Sequence, residues 1–245
     1  MSLVQLDDYG PWTVTPEPRS ETDLQALQAR LFADLADFVG SRDGYAFFGR
    51  FDNMIAVTNG IDPATHERFQ ERVRNRYPVT ASVGIGRAPT PAAALGAASE
   101  ALQSAGGAQD PARESAIEVA GPAPTSEHVT IAHFDVVDAT GTYTDSHNPV
   151  DTNQTIQRAT TELASYLRSE HDAVTQFVGG DNVVAACPAL GREQFDETLA
   201  HVAEVAGVTL QVGVGSGPTA REAGQAAKEA LEQCRETGRR FARGD

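Results

Sequence analysis

Four aspartates are marked by the strings around them. Asp52 and Asp181 occur in the same pattern, Phe-x-x-x-Asp-Asn followed by two apolar residues: Phe48-Gly49-Arg50-Phe51-Asp52-Asn53-Met54-Ile55 and Phe177-Val178-Gly179-Gly180-Asp181-Asn182-Val183-Val184. Asp7 and Asp135 each end a short β-rich stretch upstream of one of those strings. Asp-Asn suits a tight turn between two strands, because both residues tolerate turn backbone and hydrogen-bond to it. If each hairpin lies beside the end of the first strand, Asp7 meets Asp52 and Asp135 meets Asp181. Two carboxylates converging at a strand end suit a hard divalent ion: Mg²⁺ takes oxygen ligands, commonly one or two carboxylates plus phosphate oxygens. Gly179 and Gly180 would let backbone amides approach a phosphate with no Cβ in the way. The plain alternative is that these strings are turn chemistry and nothing more.

Further residues attach to that core set. Asp8 and Asp138 are additional candidate metal ligands or else solvated loop acids. His133 lies two residues before Asp135, hence on the same strand face, as a candidate general acid or base or a structural strand histidine. Arg50, Asn53 and Asn182 flank the hairpin aspartates as candidate nucleotide contacts, and Arg50 could equally solvate its turn.

The elements that must position these groups appear twice. Val83-Gly84-Ile85-Gly86 matches Val212-Gly213-Val214-Gly215, and Ala97-Ala98-Ser99-Glu100-Ala101-Leu102 matches Ala226-Ala227-Lys228-Glu229-Ala230-Leu231. Both pairs, like the two hairpin strings, are offset by 129 positions, and Leu6-Asp7 pairs with Phe134-Asp135 at 128. A self-similarity held over four anchors means two tandem homologous domains. Each copy starts with a strand, 2–7 or 128–136. A helix follows, with Leu24, Leu27, Leu31, Leu35 and Phe38, or Ile156, Leu163 and Leu167, at helical spacing. Two strands flank the hairpin, and a second helix starts at Asp62-Pro63 or near Gly191. A fourth strand ends at Gly86 or Gly215, and a last helix begins at Thr90-Pro91 or at Thr219-Ala220-Arg221-Glu222, a capping box. The class predicted is α+β: two tandem ferredoxin-like βαββαβ domains, with boundaries at 1–105 and 127–245 and a linker at 106–126 rich in Ala, Gly and Pro.

Composition removes several functions. Against 34 acidic residues stand 19 basic ones, a net charge of −15, and Lys228 is the only lysine. An acidic, lysine-poor surface fits a halophilic protein, kept soluble by hydrated carboxylates whose repulsion concentrated salt screens. Such a chain repels a duplex backbone, and the cluster of Arg239, Arg240 and Arg243 is a small basic patch, so nucleic acid is not an expected partner. No apolar run is long enough to span a membrane and no signal segment opens the chain, which predicts a cytoplasmic protein. Cys187 and Cys234 share no short spacing, and no two of the six histidines stand four apart, so zinc is not expected. Nor is there a Gly-x-x-x-x-Gly-Lys-Ser/Thr phosphate loop.

Phe134-Asp135-Val136, Gly179-Gly180-Asp181 and Val212-Gly213-Val214-Gly215 together resemble the class III nucleotidyl cyclases, the diguanylate cyclases and the polymerase palm. That resemblance implies metal ions held by the two aspartates over a nucleoside triphosphate. The chain departs from the diguanylate cyclases at Asn182, where they carry Glu, and at Arg50-Phe51, which replaces a glycine pair. A longer set of strings runs through the chain: Asp7-Asp8-Tyr9-Gly10-Pro11-Trp12-Thr13-Val14-Thr15-Pro16, Asp23-Leu24-Gln25-Ala26-Leu27-Gln28, Arg50-Phe51-Asp52-Asn53, Thr58-Asn59-Gly60-Ile61-Asp62 and Gly179-Gly180-Asp181-Asn182. These are similar to the archaeal-type GTP cyclohydrolase III family. The resemblance implies a hydrolase acting on a cyclic amidine C–N bond. GTP would be opened at its imidazole ring to 2-amino-5-formylamino-6-(5-phosphoribosylamino)pyrimidin-4(3H)-one, with release of two phosphates, in flavin and deazaflavin biosynthesis. It also implies Mg²⁺ dependence, stimulation by a monovalent cation such as K⁺, and a homo-oligomer. Asn59 becomes a candidate for guanine recognition, and Tyr9, Pro11 and Trp12 could stack on guanine or pack on the core. A nucleotidyl or diguanylate cyclase and a catalytically silent nucleotide-binding module are the alternatives.

Overall fold

The computed structural model describes residues 1–50, 52–122 and 128–244. The chain divides into two compact units, Met1–Pro89 with Ala93–Thr125 and Thr90–Ala92 with Ser126–Asp245. In the first, the elements run β1 (Ser2–Leu6), α1 (Tyr9–Val14), α2 (Glu21–Gly40), β2 (Tyr45–Arg50), β3 (Asn53–Val57), α3 (Pro63–Arg76), β4 (Ala81–Gly86), α4 (Pro91–Ser104) and β5 (Ile117–Ala120). The second has β6 (Val129–Val136), a π-turn (Thr140–Thr144), α5 (Pro149–His171), β7 (Val174–Gly179), β8 (Asn182–Cys187), α6 (Arg192–Ala206), β9 (Leu210–Gly217), α7 (Ala220–Thr237) and β10 (Phe241–Arg243). The sheets have the orders β2-β3-β1-β4-β5 and β10-β9-β6-β8-β7. In each, the first strand is central and antiparallel to both neighbours. This is the βαββαβ plan of a palm or cyclase-like domain, present twice, with a fifth strand added.

The helices predicted from the sequence form where expected, while α1 and the segment Thr140–Thr144 are additions between the first strand and the long helix of each unit. Leu24, Leu27, Leu31, Leu35 and Phe38 are the buried stripe of α2, and Ile156, Leu163 and Leu167 belong to that of α5. Asp62 caps α3 by accepting from Ala64 N at 3.0 Å, with Pro63 at the first helical position. Thr219 Oγ1 accepts from Glu222 N at 3.2 Å at the start of α7.

The repeated Val-Gly-Val-Gly strand places a helix on each face of the sheet. In β9, Val212 and Val214 join the core with Ala132, Phe134 and Val136 of β6, Leu163 and Leu167 of α5, and Phe195, Leu199 and Val202 of α6. Their neighbours Gly213 and Gly215 face the other way, where a Cβ would collide with the α7 backbone at Ala223, Ala227 and Leu231. Glycine here lets a helix lie directly on the strand, so α7 covers the face opposite α5 and α6. In the first unit, Gly84 and Gly86 serve α4 in the same way, against Ala94 and Ala98.

Two terminal segments differ from expectation. The stretch 106–126, read as a linker, carries β5, which pairs in parallel with β4, so the first unit continues past residue 105. Residues 123–126 of that stretch lie outside the described residues. The carboxyl-terminal arginine cluster, for which the sequence predicts no strand, includes β10, parallel to β9, and Arg243 Nη2 donates to Leu190 O at 2.5 Å. Both edge strands consist of three or four residues, too few for a periodic signal.

Gly213→Ala should cost about 3 kcal/mol or more in urea denaturation, the upper end of ordinary overpacking, because the obstacle is backbone. Gly96→Ala, in the middle of α4 with open space around the new methyl, should instead stabilise by about 0.5–1 kcal/mol.

Candidate active site

At the carboxyl end of β6, His133 and Asp135 alternate with the core residues Ala132, Phe134 and Val136 and therefore face α7. The Asp135 side chain is 5% exposed. One of its oxygens, Oδ2, accepts from Arg235 Nε at 3.0 Å, Arg235 Nη2 at 2.8 Å and Gln211 Nε2 at 3.1 Å. Arg235 comes from the last turn of α7 and Gln211 from β9, directly opposite Asp135 in the sheet.

Asp181 reaches the same place from the β7–β8 hairpin. Gly179 and Gly180 have φ of 123° and 64°, a backbone that favours glycine. The carboxyl of Asp181 is hydrogen-bonded to that of Asp135, and its pKa is raised to about 6, by burial first and then by the neighbouring carboxylate. Like charges held this close resist joint ionisation. Asn182 supports the arrangement: its Nδ2 donates to Asp181 Oδ1 at 3.3 Å, and its Oδ1 lies 3.0 Å from His133 Nε2. With the amide oriented so, His133 Nε2 is the donor, and burial pushes the imidazole pKa down, keeping the ring neutral.

An acidic pair backed by one arginine suits a hard divalent cation. A cation held there would relieve the carboxylate repulsion that, after burial, raises the Asp181 pKa, and Arg235 and Gln211 restrain the orientation of Asp135. Among the described residues no group of three or more His, Cys, Asp or Glu converges, so the protein offers two carboxylates there. Other ligands of an oxygen-coordinated ion would be water or substrate oxygens.

The first unit is built differently. Val4 lies opposite Met54 and Val83, and Phe134 lies opposite Val183 and Val212, so the counterpart of Asp135 is Gln5. Asp7 corresponds instead to Val137: their amides donate to Thr80 O and Thr209 O. The pairing of Asp7 with Asp135 read from the sequence is two residues out of register. A two-residue slip preserves strand alternation and so goes unnoticed in a pattern. Asp7 Oδ1 accepts from Ser82 Oγ at 2.7 Å and Arg113 Nη2 at 3.1 Å, and Oδ2 from Thr80 Oγ1 and Ser115 N, both at 2.9 Å. Every acceptor site of that carboxylate is engaged by the chain itself. Gln5 completes the cluster, accepting from Arg113 Nη1 at 2.7 Å and donating to Asn53 Oδ1 at 2.8 Å. Asp52 pairs with Arg50, Nε to Oδ1 at 3.1 Å and Nη2 to Oδ2 at 2.9 Å. Burial alone would raise the Asp52 pKa, but hydrogen bonds from Arg50 and Asn53 and the Arg50 charge bring it below its usual value. Asp7 and Asp52 thus do not form a second free carboxylate pair.

The remaining candidates are spread out. Asp8 and Asp138 occupy equivalent left-handed positions, φ 47° and 51°. Asp138 accepts from Gly141 N at 3.3 Å and so closes its own turn. Asn59 follows β3, at the sheet end away from the hairpin that precedes Asn53. Sequence reasoning passed over Arg113, Gln211 and Arg235. Their partners are about a hundred residues away for both arginines, with no local spacing to betray them.

A sheet duplicated in tandem, with a carboxylate pair at the end of one central strand, defines a two-domain palm or cyclase-like protein. The model of the family GTP cyclohydrolase III matches residues 1–243, and the chain belongs to that family. It is 63% identical to GTP cyclohydrolase III 2 of Halobacterium salinarum over 98% of this chain and 96% of that one. It is 54% identical to GTP cyclohydrolase III of Halorubrum lacusprofundi, over 97% and 93%, and 42% identical to that of Methanococcus vannielii, over 96% and 88%. Among solved structures it is similar to the GGDEF domain of DgcB from Caulobacter crescentus, at 16% identity and a TM-score of 0.41, over 47% of this chain and 77% of that one. No helix among the described residues is long and apolar enough to cross a membrane.

The Asp7 and Arg113 side chains are 3% and 2% exposed, so Arg113→Ala would strand a buried carboxylate. A loss of about 3–5 kcal/mol in urea denaturation is expected. A loss under about 1 kcal/mol would mean that water reaches the pair.

Proposed function

We propose that the protein is a Mg²⁺-dependent hydrolase that opens the imidazole ring of GTP. The product would be 2-amino-5-formylamino-6-(5-phosphoribosylamino)pyrimidin-4(3H)-one, with release of two phosphates. The observation that carries this reading is the carboxylate pair of Asp135 and Asp181, in a chain whose relatives bear the name GTP cyclohydrolase III. Asp135 and Asp181 would hold the ion, and Mg²⁺, when bound, supplies positive charge for the triphosphate oxygens. Arg235 and Gln211 fix Asp135 from behind, while Asn182 ties Asp181 to His133. Gly179 and Gly180 present hairpin backbone without side chains beside that pair. His133, held neutral, is the nearest candidate for moving a proton. One water is consumed in opening C8–N9 and retaining the formyl group, and one for each phosphate released. K⁺ stimulation, a homo-oligomeric assembly and a cytoplasmic setting belong to the same reading and are supported by the family resemblance alone.

Purified protein incubated with GTP, MgCl₂ and molar KCl should release two phosphates per GTP, lose the purine absorbance and give the formylamino product by mass. Pyrophosphate with an intact purine would instead mean cyclisation, and no reaction would mean a binding module. Asp135→Asn and Asp181→Asn should each lower kcat by about 10² or more, the scale of losing a main electrostatic group, while circular dichroism stays unchanged. Normal turnover in either variant would overturn the assignment.

The raised pKa of Asp181 gives a second, activity-free readout. Its folded value of about 6 lies above the ordinary carboxylate value near 3.9, so the folded protein favours the protonated form. Without a cation, stability therefore falls as pH rises between those values, and a cation must displace that proton to bind. The rise in Tm caused by MgCl₂ should be larger at pH 7.5 than at pH 5.0. Asp181→Asn should flatten the difference.

A further inference from the structure

We infer that Glu232 is a positioning residue of the carboxylate site: it holds the Arg235 guanidinium on one oxygen of Asp135 and so leaves the other, Oδ1, to face Asp181 and a cation. The inference rests on the metal reading above.

The guanidinium sits off-centre on its carboxylate. Arginine and a carboxylate often meet fork to fork, two nitrogens on two oxygens. Here Nε and Nη2 of Arg235 both reach Asp135 Oδ2, at 3.0 and 2.8 Å, and Gln211 Nε2 donates to the same atom at 3.1 Å. A carboxylate oxygen has about two lone-pair sites, so three donors saturate Oδ2. The acceptor capacity of Asp135 is left on Oδ1.

The far end of the guanidinium explains that pose. Arg235 Nη1 donates to Glu232 Oε1 at 2.7 Å, from a position three residues earlier on α7. The group is planar and rigid, so tying Nη1 restricts the direction in which Nε and Nη2 point. Released from Glu232, the same fork would be free to rotate onto both oxygens of Asp135 and stand where a cation approaches. Arg235 and Glu232 are 39% and 47% exposed, and a pair so solvated contributes little to folding. Its effect falls on the orientation of the arginine.

The duplicated frame supplies a contrast. At the 129-residue offset, Glu232 and Arg235 correspond to Gln103 in α4 and Gly106 just beyond it, and Asp135 corresponds to Gln5. Gln103 Nε2 donates instead to Ser99 Oγ at 3.2 Å. The acid, the arginine and the aspartate are absent together from the unit that has no free carboxylate pair. A pair that only stabilised its own helix would have no tie to the residue at the end of the central strand.

Mn²⁺ favours the same oxygen ligands as Mg²⁺ and reports binding without turnover, because the EPR signal of the free aqua ion fades as it binds. The full chain would be titrated with Mn²⁺ at pH 7.5 in 1 M KCl, where a screening length of about 3 Å suppresses effects of charge at a distance. Asp181→Asn gives the background from other carboxylates. Glu232→Ala should weaken Mn²⁺ binding about two- to fivefold, the range open to a half-exposed ion pair. Glu236→Ala removes the same charge from the same helix end without touching Arg235, and should change the affinity by less than about 1.5-fold. Arg235→Ala should weaken binding about tenfold, the lower end for a residue that orients a metal ligand. In that background Glu232→Ala should have no further effect. An unchanged affinity in Glu232→Ala, an equal loss with and without Arg235, or an equal loss in Glu236→Ala would overturn the inference and leave the metal reading standing. An unaltered protein that binds Mn²⁺ no better than Asp181→Asn sinks the metal reading, and the inference with it.

Discussion

The closeness of α7 to its sheet sets the geometry of the carboxylate pair. Gly213 and Gly215 let the backbone of α7 rest on β9, where any side chain would hold it several ångströms off. From that position Arg235, near the end of the helix, reaches Asp135 with two nitrogens. Asp135 is thereby restrained on one side, and Asp181 meets it from the hairpin. A repeated Val-Gly-Val-Gly string that looks like strand composition is therefore a spacing device, and the electrostatics of the site follow from it.

The two units show what the same frame does with different residues. In the second, an arginine that is 39% exposed leaves its aspartate a carboxylate neighbour and an unresolved repulsion. In the first, Arg113 is buried with Asp7, and hydroxyls and an amide complete the shell. Two buried opposite charges with every hydrogen-bonding position filled form a structural joint between β1, β4 and the segment leading to β5. Gln5 stands where the second unit has Asp135, so no carboxylate there calls for a counter-charge. The two frames thus differ, and only the second keeps two neighbouring carboxylates at this place.

The parts of this architecture legible in the sequence are those governed by local rules. The leucine stripe of α2, the Asp62 and Thr219 caps and the hairpin strings each follow from neighbours a few residues apart. The internal repeat extended that reach to a whole domain. What escaped was long-range or short. Arg113 and Arg235 find their aspartates about a hundred residues away, and β5 and β10 exist because β4 and β9 offer an open edge. The Asp7 register error has its own cause: with a two-residue period, a slip of two leaves every side chain on its proper face. Backbone pairing with β3, β4, β8 and β9 removes the ambiguity.

The net charge of −15 can then be divided by range. Screening lengths fall from about 8 Å at physiological salt to about 3 Å at 1 M. Concentrated salt therefore silences most repulsion among solvated surface carboxylates, which are separated by more than that. It does little for Asp135 and Asp181, which share a hydrogen bond and are partly shielded from solvent. Their repulsion must be met locally, by Arg235 on one side and, on the proposed function, by a cation that the pair would hold. An acidic chain in strong brine can accumulate carboxylates over its surface at small cost, whereas a contact pair persists only where a specific positive charge is brought to it. That difference separates these two aspartates from the solvated carboxylates of the surface.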